Sequence, residues 1–285
     1  MLISWYSMHM NYTAWDAKNL QQFFITENDK KTCVWLTPAS DKPLIILIHG
    51  IGGDHAGLVP LAMELSGDYR VGIVDLPGHG KSDIIPLPDA DALQHWCAQL
   101  VKSIGREIGP IAFICAHSFG CSAVLGKDVL TTQKIILINP VPTPSQAYAR
   151  YSRIVMSSSR FLAHIYNWQP FILLRGRTIR KVHTREAIQR VRWVGLHSPS
   201  HYHQIVFQSG LVDMILDSSA YRNAKTGKIA LVIASISDTT AAERGSLDMQ
   251  NVFGDCKVAF LRGGHLLPIE TPERVAYLIN QVMVH

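Results

Sequence analysis

The composition is that of a globular protein and excludes several other classes. The 285 residues are 47% hydrophobic and 17% charged, with a formal net charge of +5, which suits one large α/β domain or two smaller ones. No stretch approaches the roughly 18 apolar residues of a transmembrane helix, and we expect no signal peptide at the N-terminus. The five cysteines show neither metal spacing nor a disulfide framework, so we expect a reducing, cytoplasmic location.

The first half of the chain alternates predicted strands and helices. Aromatic and β-branched residues at 3–6 and 32–36 predict an antiparallel entry to a sheet. The continuous apolar run Leu44–Ile48 is typical of a strand covered on both faces. The strands that follow are predicted at 70–76, 111–115 and 134–138, and the helices between them at 55–66 and 89–107.

The alternation stops at residue 141 and returns near residue 226. Residues 141–225 contain helical patches but no run suited to a central strand, whereas 228–234 and 257–261 are strand-like, with helices near 240–250 and 272–284. The pattern predicts an α/β fold with a mostly parallel sheet and helices on both faces. We therefore expect a core of residues 1–140 and 226–285. The helical cap, 141–225, would lie over the carboxyl edge of the sheet, where such folds bind ligands.

The stretch IAFICAHSFGCSAVL, residues 111–125, carries the first chemical signal. It predicts a strand, a sharp turn holding Ser118, and a helix, with small residues Ala116 and Gly120 on either side of the serine. This is the layout of a nucleophile elbow, G-x-S-x-G, with alanine in place of the first glycine. Small residues suit these positions because a larger side chain would collide within so tight a turn.

A serine nucleophile needs a base, and the base needs an orienting acid. His265 follows the predicted strand at 257–261 through two glycines, and Asp238 follows the strand at 228–234. The order Ser118, Asp238, His265 is that of the triad in this kind of sheet. Asp248 and Asp255 are alternatives for the acid, whereas Asn139, after the strand at 134–138, cannot supply a carboxylate.

The loop after residue 48 and the residue after the serine are candidates for binding an oxyanion. Backbone N–H groups of Ile51 and Phe119 would stabilise the developing charge. The loop HGIGG could instead cradle phosphate, but it lacks the Lys-Ser/Thr ending of a P-loop. Near these groups we predict substrate contacts from the residues His49, Gly50, His117, Trp168 and Leu266.

Together these segments resemble the α/β-hydrolase superfamily, in the branch with a helical cap. The matching pieces are LIILIHGIGG, DLPGHGKSD, AHSFG, SISD and GGHLLPIETPERV, which span residues 44–280 apart from the cap. The resemblance implies a cofactor-free and metal-free serine hydrolase, a carboxylesterase acting on an ester or thioester through an acyl-enzyme. Ser118 argues against relatives that use aspartate as the nucleophile.

The predicted cap carries the charge of the protein. Residues 141–200 hold ten Lys and Arg and one acidic residue, a formal charge of +9, so the rest of the chain is −4. The cap would attract an acidic substrate or carrier, and pimeloyl-acyl-carrier-protein methyl ester esterases are similar in architecture. Alternatives are a monoacyl-lipid lipase at anionic membranes, a carbon–carbon bond hydrolase, a non-enzymatic binding protein, or a basic face without a ligand. Without a recognised motif, a nucleic-acid partner is not expected.

Overall fold

The computed structural model describes most of the predicted core. The described residues are 20–142, 144–146, 149, 187, 189–191, 193–194, 218–221, 228–240, 252–254 and 256–283. The predicted strand at 3–6, most of the helix at 240–250 and most of the cap lie outside them, so these stay predictions. No helix among the described residues is both long and apolar enough to cross a membrane.

In the described part of the chain, eight strands form one sheet. The strands are β1 Gln21–Glu27, β2 Lys30–Leu36, β3 Leu44–Ile48, β4 Arg70–Val74, β5 Ile111–His117, β6 Ile135–Ile138, β7 Ile229–Ser235 and β8 Lys257–Leu261. The described helices are α1 Val59–Leu65, α2 Ala90–Glu107, α3 Phe119–Val124, α4 Lys127–Thr132, α5 Leu267–Glu270 and α6 Pro272–Met283. The strand order is β1-β2-β4-β3-β5-β6-β7-β8. β1 and β2 join antiparallel, and the pairs from β4 to β8 are parallel.

The antiparallel entry is a hairpin that the sequence analysis located only in part. The strand at 32–36 is confirmed as β2, but its partner β1, Gln21–Glu27, was not predicted. Asn28 and Asp29 join the two strands with φ of 49° and 61°. Two successive positive φ values belong to a type I′ turn, whose twist matches that of the strands. The Asn-Asp pair was the available signal, because both residues tolerate this conformation.

The sheet is covered on both faces. All five residues of β3 are buried, which confirms the prediction from its apolar run. Ile46 and Ile48 pack on one face with residues of α2 and α3. Ile45 and Leu47 pack on the other with residues of α1 and α6. Alternate residues of a strand point to opposite faces, so a strand between two helical layers must be apolar throughout.

The predicted helix at 55–66 is two elements. His55–Gly57 is a single 3₁₀ turn capped by the Asp54 side chain, and α1 begins at Val59 with Pro60 in its first turn. Proline cannot donate a backbone hydrogen bond, so it fits the first turn of a helix but not the interior. Pro60 therefore marks the start of a new helix and not the middle of one that begins at residue 55. The helix predicted at 89–107 is α2, which begins at Ala90 after the N-cap Asp89.

The parallel strands bring distant residues to one edge of the sheet. β3 leads to Gly50, β5 to Ser118, β7 to Asp238 and β8 to His265. Parallel strands end at the same edge, so their following loops meet although 215 positions separate Gly50 from His265. This edge contains the candidate site.

Candidate active site

Ser118 lies on a strained turn between β5 and α3. Its backbone has φ of 53° and ψ of −121°, an uncommon conformation for a residue with a side chain, which persists only where its surroundings impose it. Its N–H donates to the Ile138 carbonyl at 3.0 Å, and its carbonyl accepts from the Cys121 N–H at 2.9 Å. These bonds to a neighbouring strand and to the following helix hold the turn.

Two glycines, Gly120 after the serine and Gly50 in the loop after β3, permit the close approach of that loop to Ser118. A Cβ on Gly120 would lie 2.6 Å from the His49 carbonyl oxygen, and a Cβ on Gly50 would lie 2.9 Å from the Ser118 Cβ. Both distances are shorter than van der Waals contact. In contrast, Ala116 carries its methyl fully buried within β5, so the departure from G-x-S-x-G falls where the structure holds a side chain.

The three residues predicted to act together form a hydrogen-bonded chain. The Ser118 Oγ lies 2.7 Å from His265 Nε2, and His265 Nδ1 lies 2.7 Å from Asp238 Oδ2. With the proton on Nδ1 donated to the carboxylate, Nε2 is free to accept from the Ser118 hydroxyl. A serine, an imidazole and a carboxylate in this arrangement can activate the serine hydroxyl as a nucleophile.

Asp238 is held as a carboxylate. Burial raises the pKa of Asp238, but the charge of His265 and hydrogen bonds from His265 and Thr240 outweigh burial and lower it below the ordinary value. The Thr240 N–H donates to Oδ1 at 2.8 Å, which leaves Oδ2 for the imidazole. The Asp238 side chain is 3% exposed, so the ion is desolvated and depends on these partners.

Two residues fix the backbone of His265. His117 Nε2 donates to the His265 carbonyl at 2.8 Å. The Asn139 side-chain amide donates to the carbonyls of Gly264 and His265, at 3.1 and 2.9 Å, and accepts from the Ser235 N–H at 2.7 Å. From the sequence, Asn139 was interpreted only as a residue that cannot supply a carboxylate. Its position directly after β6 was the signal, because loops from adjacent strand ends contact each other.

His117 was predicted as a substrate contact, and the structure places its ring beside that of His265. Its ring centroid lies 5.2 Å from that of His265. Burial, and then the charge of His265, lowers the pKa of His117 to about 3. A neutral ring with Nε2 committed to a carbonyl acts here as a support for the His265 loop. A substrate contact through Nδ1 stays a prediction.

The candidate oxyanion donors belong to the residue after Ser118 and to the loop after β3. Phe119 is the first residue of α3, so its N–H has no acceptor within the helix. No hydrogen bond joins the Ile51 N–H to another of the described residues. Ile51 directly follows Gly50, whose Cα faces the Ser118 side chain. The assignment of both groups to an oxyanion stays a prediction.

Two histidines tie the loop of Ile51 to the loop after β4. His49 Nδ1 donates to the Gly50 carbonyl at 2.7 Å, and Nε2 accepts from the Leu76 N–H at 3.0 Å. His79 Nδ1 donates to the Pro77 carbonyl at 2.9 Å, and its Nε2 accepts from the Gly52 N–H at 3.3 Å. Each loop thus supplies a neutral imidazole to the other. Both His49 nitrogens are occupied within the protein, and its predicted substrate contact stays untested.

A buried carboxylate anchors the same pair of loops. Asp75 accepts from the His55 N–H and Nδ1 at 2.8 and 3.1 Å, from Trp35 Nε1 at 2.8 Å and from the Lys81 N–H at 3.0 Å. Burial raises the pKa of Asp75, but the hydrogen bond and charge of His55 and the contributions of His49 and Trp35 lower it overall. Asp75 was not predicted as a functional residue, although the DLPGHGKSD loop begins with it.

The remaining predicted contacts are one residue inside the described range and one outside it. Leu266 is half-buried next to His265 and packs against Val191, Val194 and Ile269. Trp168 lies outside the described residues. Neither assignment is tested.

A model of the alpha/beta hydrolase family matches residues 45–276. No curated protein matches the sequence.

Among solved structures, the chain is similar to 2-hydroxy-6-oxo-6-phenylhexa-2,4-dienoate hydrolase from Rhodococcus sp. strain RHA1. The TM-score is 0.71 and the identity 14%, over 93% of this chain and 99% of that one. A thermophilic esterase from Thermogutta terrifontis has a TM-score of 0.66 and 19% identity, over 92% and 97%. The thioesterase domain from the curacin biosynthetic pathway has a TM-score of 0.62 and 17% identity, over 91% and 99%.

At such identities these likenesses show a shared fold. They agree with the sheet described above and with the family match across most of the chain. The predicted fold class is therefore confirmed. The finer resemblance to pimeloyl-acyl-carrier-protein methyl ester esterases stays a prediction. The chain belongs to the alpha/beta hydrolase family.

Proposed function

We propose that this protein is a serine hydrolase that cleaves a carboxylic ester or thioester through an acyl-enzyme on Ser118. The observation that carries the proposal is the chain of two 2.7 Å hydrogen bonds from Asp238 through His265 to Ser118. A serine hydroxyl is a weak nucleophile at neutral pH and needs such a base. The likeness in fold to an esterase and to a thioesterase domain is compatible with this class of reaction.

In the acylation step, the Ser118 Oγ attacks the acyl carbon while His265 Nε2 takes the hydroxyl proton. Asp238 orients the ring and stabilises the imidazolium that forms. The carbonyl oxygen becomes an oxyanion, and the N–H groups of Phe119 and Ile51 stabilise it. The tetrahedral intermediate then breaks its bond to the leaving alcohol or thiol, which receives the proton from His265.

In the deacylation step, water replaces the serine as the nucleophile. His265 Nε2 removes a proton from the water as it attacks the acyl carbon, and the same N–H groups stabilise the second oxyanion. The bond to Ser118 Oγ breaks, the serine recovers its proton from His265, and the acid is released. The residues named suffice for both steps, so the proposal involves no cofactor.

The proposal extends to an acidic substrate or carrier, such as an acyl-carrier-protein ester. Its support is the formal charge of residues 141–200, which hold ten basic residues and one acidic residue. A basic surface next to an active site raises the local concentration of anions, and salt screens the effect. The monoacyl-lipid lipase remains the alternative, because an anionic membrane surface would be attracted by the same charge.

The nucleophile is tested by labelling with a fluorophosphonate probe. We expect the wild type to be labelled and Ser118→Ala to remain unlabelled.

Asp238→Asn should lower kcat on p-nitrophenyl acetate about 10³- to 10⁴-fold, because the amide holds the wrong tautomer of the base. Labelling that persists in folded Ser118→Ala would disprove the assignment, and turnover of a carbon–carbon substrate without any ester turnover would replace the proposed reaction.

The substrate class is tested by comparing two esters at two salt concentrations. Between 50 and 500 mM NaCl, we expect kcat/KM on an acyl-carrier-protein ester to fall about tenfold, because electrostatic attraction is screened. The same change should alter kcat/KM on neutral p-nitrophenyl acetate by less than about twofold. Equal salt responses would contradict the carrier proposal. Activation confined to anionic vesicles that contain a monoacylglycerol would favour the lipase.

A further inference from the structure

The side chain of one buried residue, Glu270, binds the backbone of the loop that carries His265. Glu270 accepts from the Gly264 N–H at Oε2, 2.6 Å, and from the Leu266 N–H at Oε1, 3.1 Å. These are the two peptide N–H groups on either side of His265. Glu270 is 3% exposed, so these two N–H groups take the place of water as hydrogen-bond partners of its side chain.

The loop is shaped to fit this carboxylate. A Cβ on Gly264 would lie 2.9 Å from Glu270 Oε1, and a Cβ on Gly263 would lie 2.7 Å from a methyl group of Leu267. The two glycines therefore let the backbone pack against α5. The Glu270 side chain binds the loop through two hydrogen bonds. The position of this side chain depends in turn on the backbone of Glu270.

That backbone is bound in turn by a residue of the predicted cap. Arg190 Nη1 donates to the Glu270 carbonyl at 3.1 Å and to Glu273 Oε2 at 3.0 Å. The Glu270 carbonyl belongs to the last residue of α5, where a basic group satisfies an acceptor that the helix leaves open. The Arg190 side chain is 9% exposed and that of Glu273 is 49% exposed, so the contact with the Glu270 carbonyl is buried and the contact with Glu273 is partly exposed.

Apolar packing joins the same two segments. Residues 187, 189–191 and 193–194 are helical. Val191 and Val194 pack with Ile269 of α5, and the half-buried Leu266, next to His265, packs on the same cluster. The segment that carries Arg190 is thus seated on both the helix that holds Glu270 and the loop that holds His265.

We propose that Arg190 and Glu270 are positioning residues that make the placement of His265 depend on the docking of the segment around residues 187–194. Glu270 holds the two N–H groups that flank His265, and Arg190 holds Glu270. Release of this segment would let the loop move and lengthen the bond from His265 to Ser118. A misplacement of about 1 Å at such a bond lowers turnover by up to about 100-fold. This inference rests on the proposed function for its effect on turnover.

The contacts are tested first by hydrogen exchange in peptides that cover residues 262–270. In Arg190→Met and in Glu270→Gln we expect exchange at the Gly264 and Leu266 amides to be faster than in the wild type by about tenfold or more. Peptides from β5 should not change. This readout does not depend on hydrolysis, so it decides the inference even if the proposed function fails.

Turnover is then measured per active site, with sites counted by fluorophosphonate titration and p-nitrophenyl acetate as substrate. We expect kcat per titrated site to fall about tenfold in Arg190→Met and about 100-fold in Glu270→Gln, with KM changed by less than about twofold. Arg190→Lys should restore part of the loss. Arg274→Met removes an exposed cation next to Glu273 and is the matched control, expected to behave as the wild type.

A residue that only stabilised the fold would lower Tm and the fraction of titratable sites but leave kcat per site unchanged. If Arg190→Met leaves both kcat per site and exchange at 264 and 266 unchanged, the inference is wrong. Should Glu270→Gln fail to fold, Glu270→Asp takes its place, since the shorter carboxylate cannot reach both donors. Faster exchange in the Glu270 variant alone would show that the 187–194 segment has no influence and would also overturn the inference.

Discussion

At the scale of single residues, the space around Ser118 explains which neighbours must be small. The Ser118 turn brings α3 against the carbonyl groups of Ile48 and His49, and Gly120 meets them directly. Ala116 lies two residues before the turn, within the regular part of β5, where a side chain has room. Two positions that look equivalent in the motif are therefore under different steric constraints.

Exchanging glycine and alanine at these two positions should have unequal effects. Gly120→Ala sets a methyl against two carbonyl oxygens and should lower the free energy of unfolding by about 3 kcal/mol and abolish most turnover. Ala116→Gly removes only a methyl and adds backbone freedom, at a cost of about 1 kcal/mol. Urea unfolding and esterase assays of both variants measure the difference. Equal losses would contradict the steric explanation.

At the scale of elements, the loops after β3 and β4 are one unit. His49, after β3, accepts from the Leu76 N–H, and His79, after β4, accepts from the Gly52 N–H. Asp75 accepts four hydrogen bonds, from the two loops and from Trp35. The hydrogen bonds of Gly52 to His79 and of His55 to Asp75 thereby hold the loop that contains Ile51. The sequence shows two glycine-rich loops. In the structure, hydrogen bonds of His49, His79 and Asp75 join these loops into one polar cluster.

Asp75→Asn should destabilise this unit. The amide replaces one carboxylate oxygen with an NH₂ group, which would face N–H donors from Trp35, Lys81 or His55. We expect a loss of about 3 kcal/mol in the free energy of unfolding and a lower kcat, because the loop of Ile51 is released. Asp83→Asn is the control, since Asp83 accepts the Lys31 N–H from an exposed position. Similar losses in both variants would argue against a special role for Asp75.

At the scale of the whole molecule, the sheet concentrates buried ionisable groups at one edge. Burial lowers the pKa of His49 and of His117, so both are neutral in the folded state. Asp75 and Asp238 are ionised, with the pKa of each below its ordinary value. For the histidines, the unfolded chain binds more protons than the folded one below pH 6.5, the ordinary value. Acid should therefore destabilise the protein.

We expect the free energy of unfolding to be level between about pH 7 and pH 8 and to fall between pH 6.5, the ordinary histidine value, and about 4. Each neutral buried histidine contributes up to about 1.4 kcal/mol per pH unit. Below the ordinary aspartate value of 3.8, protonation of the two carboxylates removes further stability. His117→Gln keeps a donor for the His265 carbonyl but cannot titrate, so urea unfolding at pH 7, 6 and 5 should show a shallower slope. An unchanged slope would exclude His117 as a cause.

Much of the core could be predicted from local patterns. Apolar runs determine strands because a strand between two helical layers must be apolar on both sides, and β3, β5 and β6 follow this rule closely enough to be located. The short helices α4 and α5 were missed because a helical periodicity needs a longer segment to be visible. The Asn28–Asp29 turn was missed although its residue types are a turn signal. The predictions for the cap depend on residues outside the described part of the chain and stay predictions.

The sequence by itself determined the order of the chemical groups: a serine on a sharp turn, an aspartate and a histidine, each following a strand. Residue type and chain order suffice for this, since parallel strands end at a common edge. Only the tertiary structure decided what holds these groups: Asn139 and Glu270 on the His265 loop, Asp75 beneath the Ile51 loop, and Arg190 behind Glu270. Their roles depend on contacts between loops distant in the chain, and such contacts exist only once the sheet has brought the loops together.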